Sequence, residues 1–298
     1  MFHELKKENL LGDLRRVSCQ DNVSIKNFAK KNIPFIVTGI AKTWKAHQLW
    51  DLEYFDKVVG HKTIHCVSLD EKNLTKYEQL QKITFSEFIT ELKKNIADLS
   101  PVGLQRRLYL VISRITAHKN RPDPQLPELL KDIEIPQFFP RRRLWTANLW
   151  VGAGNNKSNL HFDPDNNILV PIKGTKKLIL ISPTQGKILY RNMEATENRL
   201  QSKVDVFKID REQYPKIDCA QYYQTEIQES EGLYIPAGWW HAVTSSPGLN
   251  IAVNFWWLGP VRHLFSINNP ISTIQWSIKN KWISIMFPLL VSKYFKSQ

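Results

Sequence analysis

Apolar and polar positions alternate in short runs along most of the chain, and the period of that alternation changes several times. Over residues 1–30, Leu5, Leu10, Leu11 and Leu14 fall at loose helical spacing with Phe28 near the end, which predicts a helical opening. The run PFIVTGI at 34–40 is β-rich and closed by Gly39, the pattern of a buried strand. Residues 44–60 predict a loop and then a helix that starts near Asp51 and stops at Gly60. A further strand is expected at 62–69, KTIHCVSL. Thr84 and Glu87 have the spacing of a capping box, so TFSEFITELKKN predicts a helix with Phe85, Phe88, Ile89 and Leu92 inward.

RRLYLVISRI at 106–115 predicts a strand, and the proline-rich stretch 116–140 a connection with one short helix at 126–132. From 144 the pattern turns almost wholly β: LWTANLWVG, NLHFD, NILVPI and KKLILIS, a polar excursion at 184–229, then GLYIP, WWHAV and LNIAVNFWW. Many short strands separated by Gly, Pro, Asn and Ser turns indicate a sandwich or barrel, and two Greek keys of this size make a jelly roll. After Gly259 and Pro260, Ile274, Ile278, Trp282 and Ile285 recur at helical spacing and predict one or two C-terminal helices. The fold class expected is therefore mainly β with flanking helices: an N-terminal α+β region over 1–105, a jelly-roll core (a double-stranded β-helix) over 106–258 and a helical extension over 259–298.

Composition changes this picture little. With 298 residues and 42% apolar content the chain can bury a large core. Its three cysteines, Cys19, Cys66 and Cys219, are too few and too far apart for a disulfide framework or a zinc site. That suits a reducing compartment, and the charged start MFHELKKENLLGDLRR has no secretory signal pattern, so a cytoplasmic setting is expected. The longest apolar stretch, WISIMFPLLV at 282–291, is far short of the roughly 20 residues needed to cross a bilayer, so no transmembrane segment is expected. A formal charge of +13 and a pI near 9.5 leave an acidic partner such as nucleic acid open. The basic residues are spread along the chain, however, with only Arg141, Arg142 and Arg143 in a tight run.

Candidate chemistry gathers in HFDPDNN at 161–167. In an extended segment His161 and Asp163 point to one face and Phe162 to the other. His241, after the tight reversal IPAGW, shares a face with Trp239 and Val243 and is the best third ligand. Two histidines and one carboxylate with open positions suit non-haem Fe(II) oxygen chemistry. Lys176 opens the strand KKLILIS, so either it or Lys177 faces apolar company, and an inward lysine calls for an anion such as a dicarboxylate. In IAVNFWW, alternation places Ala252, Asn254 and Trp256 on one face, leaving an amide in need of a partner.

HFDPDNNILVPIKGTKK, GLYIPAGWWHAV and NIAVNFWW together resemble the JmjC/cupin-type Fe(II)- and 2-oxoglutarate-dependent hydroxylases, and among them the factor-inhibiting asparaginyl hydroxylase branch of hypoxia signalling. The resemblance covers roughly 34–258 and is densest at 106–115 and 145–258. It implies iron on His161, Asp163 and His241, with 2-oxoglutarate as cosubstrate and O₂ as oxidant. It further implies that Lys176, Tyr109 and Ser158 hold the distal carboxylate of 2-oxoglutarate, and that Asn167, Asn254 and Trp256 line the pocket. Without the resemblance, Tyr109 also reads as a core tyrosine and Asn167 as a turn residue. The chain departs from the family where Ser158 replaces a threonine and where Glu231 and Gly232 replace an Asp before the second histidine.

What the resemblance implies for function is hydroxylation of a protein or peptide side chain, with a tRNA-modifying activity of the same superfamily as the alternative. Histone demethylation is expected less, since no reader module is evident. A metal-binding cupin without oxygenase activity is the reading from a different class. For the C-terminal helices, packing on the barrel and contact with a membrane surface stay open, while the resemblance implies a homodimer through them, which is the expectation.

Overall fold

Fourteen strands and four α-helices make up the described part of the computed structural model, which covers residues 5–69, 77–97, 107–116, 123–138, 144–192 and 200–257. The N-terminal region supplies β1 (Leu10–Gly12), β2 (Arg16–Ser18), α1 (Asn22–Lys30), β3 (Phe35–Thr38), α2 (Ala46–Leu49), α3 (Leu52–Val59), β4 (Thr63–Leu69), β5 (Tyr77–Thr84) and α4 (Phe85–Ala97). β6 (Arg107–Arg114), β7 (Leu144–Gly154), β8 (Lys157–Phe162), β9 (Asn166–Lys173) and β10 (Lys176–Ile181) follow. The last four strands are β11 (Tyr222–Ile227), β12 (Gly232–Ile235), β13 (Trp240–Ser245) and β14 (Pro247–Trp257).

The strands form two sheets. One has five strands in the order β1-β11-β10-β13-β8, the other nine in the order β2-β3-β12-β9-β14-β7-β6-β4-β5. Packed face to face, they make a jelly roll. Leu178 and Leu180 of β10 meet Ile36 of β3, Leu169 of β9, Leu233 and Ile235 of β12 and Ala252 of β14 between the sheets. The outer face of the larger sheet carries the largest apolar cluster, in which Ile251, Val253, Phe255 and Trp257 of β14 pack against Trp44, Trp50, Phe55 and Phe85. The outer face of the smaller sheet, with Phe162, Ile179 and Trp240, is covered by Leu189, Val204, Val206 and Ile217.

Local chemistry explains the helix ends. The Asp51 carboxylate accepts from the Tyr54 backbone N–H at 2.7 Å and starts α3. The capping box is reciprocal: Glu87 accepts from the Thr84 backbone N–H at 2.7 Å, and the Glu87 N–H donates to Thr84 Oγ1 at 3.2 Å. Phe85, Phe88, Ile89 and Leu92 are all buried, as the helical spacing requires.

Three expectations are corrected. Among the described residues of the opening the α-helix is confined to α1, after a 3-10 turn at Lys7–Asn9; Leu10 and Leu11 are exposed in a three-residue edge strand whose parallel partner, β11, lies more than 200 residues away. Such an element is set by long-range pairing, which local spacing does not carry. The polar excursion holds a strand, β11, which pairs with β10. Strand β5, whose edge position leaves Leu80 exposed, is also additional to the sequence reading. The expected C-terminal helices, the Arg141–Arg143 run and the dimer contact lie outside the described residues. No described helix is long and apolar enough to cross a membrane.

Candidate metal centre

β8 and β13 are antiparallel neighbours, and their register sets His161 directly opposite His241 with ring centroids 4.2 Å apart. Asp163 lies just past the end of β8. The turn at Pro236–Trp239 reaches back to it, since Gly238 N–H donates to the Asp163 carbonyl at 2.8 Å. Gly238 sits at φ +84, a conformation that glycine adopts without strain, which favours that residue in the reversal that delivers His241. Ligand atoms of His161, Asp163 and His241 all lie within 4.8 Å of one another.

Both imidazoles are oriented in the same way. Nδ1 of His161 donates to the Asn159 carbonyl at 2.7 Å, and Nδ1 of His241 to the Trp239 carbonyl at 3.0 Å. A carbonyl only accepts, so each Nδ1 carries a proton, which leaves Nε2 as the atom that can meet a cation. Burial and then the neighbouring His161 ring push His241 down to about 4, against the opposing pull of Asp163 and the Trp239 carbonyl. Two imidazoles beside a carboxylate are a donor set that suits a divalent cation. Asp163 Oδ2 lies 3.8 Å from His241 Nε2 and accepts from Asn167 Nδ2 at 3.3 Å.

The triad opens into a cavity of about 360 Å³ between the sheets. All nine residues singled out in the sequence line it: the triad together with Tyr109, Ser158, Asn167, Lys176, Asn254 and Trp256. Room for the Tyr109 ring comes from Gly152 opposite it, where an added Cβ would stand 2.9 Å from the ring and 2.0 Å from Asn156 Nδ2. Asn167 lies in β9, which removes the turn reading.

Lys176 is the inward lysine of its pair. Lys177 points away and pairs with Glu226 at 3.5 Å, whereas Lys176 is 5% exposed and has no hydrogen-bond or ion-pair partner among the described residues. Burial pushes its ammonium down to about 8. A lysine this deep without a counter-ion is costly, and an anion in the cavity would offset that cost. The residues present therefore fit both a divalent cation and an anionic cosubstrate.

Sequence reasoning missed several members of the cavity wall, Trp150 among them, and the Thr146 and Asn148 side chains that neighbour it on β7. Thr146, Asn148 and Trp150 alternate along β7, Asn148 directly opposite Asn254. Thr146 Oγ1 donates to Asn148 Oδ1 at 3.0 Å, and Asn148 Nδ2 donates to Asn254 Oδ1 at 3.0 Å. Polar residues at every second position of LWTANLW were the available signal. Asp165, two residues beyond Asp163, is buried, and burial and then Asp163 raise its carboxyl well above the usual range.

A model of the cupin-like domain family matches residues 21–263. The lysine-specific demethylase JMJ30 of Arabidopsis thaliana is 29% identical over 252 residues, covering 82% of this chain and 55% of that protein. Lysine-specific demethylase 8 of Xenopus tropicalis is 27% identical over 228 residues, covering 75% of this chain and 48% of that protein. The tRNA wybutosine-synthesizing protein 5 of Gallus gallus is 26% identical over 216 residues, covering 70% of this chain and 65% of that protein. The chain spans about half the length of the two demethylases.

Proposed function

The chain belongs to the JmjC cupin-like family, and on that premise we propose that it is an Fe(II)- and 2-oxoglutarate-dependent dioxygenase that hydroxylates a protein or peptide side chain. One observation carries this reading: a His-Asp-His cluster and a buried lysine without a partner line the same cavity. In it His161, Asp163 and His241 would hold the iron, with Asp163 as the anionic ligand. Lys176, with Tyr109 and Ser158, holds the far carboxylate of 2-oxoglutarate, and Trp256 closes the wall beside the second histidine. Iron and cosubstrate, when bound, supply oxygen activation. The chain's own part is to place these groups within the cavity between the sheets. All nine site residues fall within 106–258, which we take as the catalytic core. Free cysteines support a reducing, cytoplasmic setting.

Hydroxylation at carbon also accommodates an N-methyl group, because a hydroxymethyl amine breaks down to the free amine and formaldehyde. The demethylases among the relatives therefore keep methylated lysine among the candidate side chains. A tRNA substrate is the second reading, favoured by the net charge of +13 and the wybutosine-synthesizing relatives.

The test is capture of partners from a lysate with the Mn(II)- and 2-oxoglutarate-analogue-loaded protein. Captured material is then incubated with the iron-loaded protein and examined by mass spectrometry. A peptide that gains one oxygen atom, or loses a methyl group with release of formaldehyde, supports the protein-directed reading. Oxygen gained only by tRNA, with an affinity that falls steeply with salt, overturns it in favour of the second.

A further inference from the structure

Trp150 and the asparagines of the cavity wall form a chain of hydrogen bonds with a direction. The indole N–H of Trp150 donates to Asn254 Oδ1 at 2.9 Å, beside the Asn148 Nδ2 that donates to the same oxygen. Asn254 Nδ2 then donates to Asn167 Oδ1 at 3.1 Å, and Asn167 Nδ2 donates to Asp163 Oδ2 at 3.3 Å. An indole nitrogen only donates and a carboxylate only accepts, whereas a primary amide can serve either way round. Each amide between them must therefore turn its oxygen toward Trp150 and its nitrogen toward Asp163. Thr146 caps the other branch through Asn148, but a hydroxyl donates or accepts as required and imposes no direction. Reversing the chain would set the indole N–H against the Asn254 NH₂ group and the Asn167 oxygen against the Asp163 carboxylate, two mismatches in a buried network.

We propose that Trp150 is a positioning residue for the cation site: through Asn254 and Asn167 its indole N–H fixes which way the amides face, and so holds the Asp163 carboxylate beside the two histidines. The role rests on the reading of His161, Asp163 and His241 as metal ligands. The direction of the amide chain does not, and it is open to separate measurement.

Trp150→Phe removes the N–H and keeps an aromatic ring against Tyr109, with Trp150→Met as a second variant should the phenyl ring repack. In metal-free protein labelled with ¹⁵N at asparagine, the side-chain NH₂ protons of Asn254 and Asn167 are expected to exchange about fivefold faster in the variant. Thr146→Val, which removes a hydroxyl without direction, is expected to leave them within about twofold. Co(II) affinity is expected to fall about three- to tenfold in Trp150→Phe, less than loss of an immediate outer partner costs, with a shift of the visible Co(II) bands that Thr146→Val does not produce. Unchanged amide exchange in both Trp150 variants overturns the proposal whatever the metal result. Faster exchange with wild-type Co(II) affinity and spectrum overturns the link from the amides to Asp163. Wild-type protein that binds no Co(II), or a His161→Ala variant that binds it equally well, overturns the metal reading and the positioning role with it.

Discussion

β14 presents two unlike faces. Outward, Ile251, Val253, Phe255 and Trp257 enter a cluster made wholly of apolar groups; inward, Ala252, Asn254 and Trp256 meet an amide row, a buried lysine and two histidines. The same contrast runs through β7, with Ala147, Leu149, Val151 and Ala153 outward and Thr146, Asn148 and Trp150 inward. The outer face is built for stability and the inner face gives some of it up, because polar groups placed between sheets must be satisfied by one another or by a ligand. The difference predicts opposite responses to substitution on the two sides of one sheet.

The largest effect is expected at His241→Ala, which should lower Co(II) affinity by more than the roughly 10- to 100-fold that loss of an outer partner costs, measured by equilibrium dialysis. Retained affinity would break the contrast at its inner side. On the outer side Phe255→Ala should lower unfolding free energy by about 3–5 kcal/mol, read from urea titration, without a matching change in the Co(II) spectrum of the folded protein.

Lys176→Met should do the reverse, raising the stability of the ligand-free protein by on the order of 2–3 kcal/mol near pH 7 while weakening dicarboxylate binding. The sign follows from linkage. Between about pH 8 and the ordinary lysine value of 10.5 the unfolded chain holds more protons than the folded one, so wild-type stability rises with pH across that window. The Met variant should lack that slope, and an equal slope in both proteins would show that Lys176 is not the group responsible. Smallest is Ile112→Gly. Ile112 lines the cavity at a register break between β6 and β7, with φ +51 and its side chain 42% exposed, so relieving the left-handed strain should raise stability by about 1 kcal/mol in thermal unfolding.

Much of this was legible in the sequence, for identifiable reasons. Alternation with a period of two assigns His161 and Asp163 to one face, Trp239, His241 and Val243 to another, and Asn254 and Trp256 to a third, and all of these line the cavity or pack beside it. The capping box at Thr84 and Glu87 needs only neighbouring residues, so spacing sufficed. Leu10 and Leu11 misled because an edge strand of three residues is held by a partner far along the chain. β11 was hidden because its outward positions, Gln224 among them, are polar, and it reads as part of the excursion. Trp150 and Asn148 escaped notice for a different reason: a strand of mixed polarity shows that amides face inward, but only the register of β7 on β14 shows that they meet.

If the inner face forms an iron and 2-oxoglutarate site, the protein must release succinate when both are supplied. Wild-type protein supplied with Fe(II), 2-oxoglutarate and O₂ is expected to release succinate, slowly even without a prime substrate, and Asp163→Ala is expected to release none above the protein-free control. No succinate from the iron-loaded wild type, or equal turnover in Asp163→Ala, would contradict it.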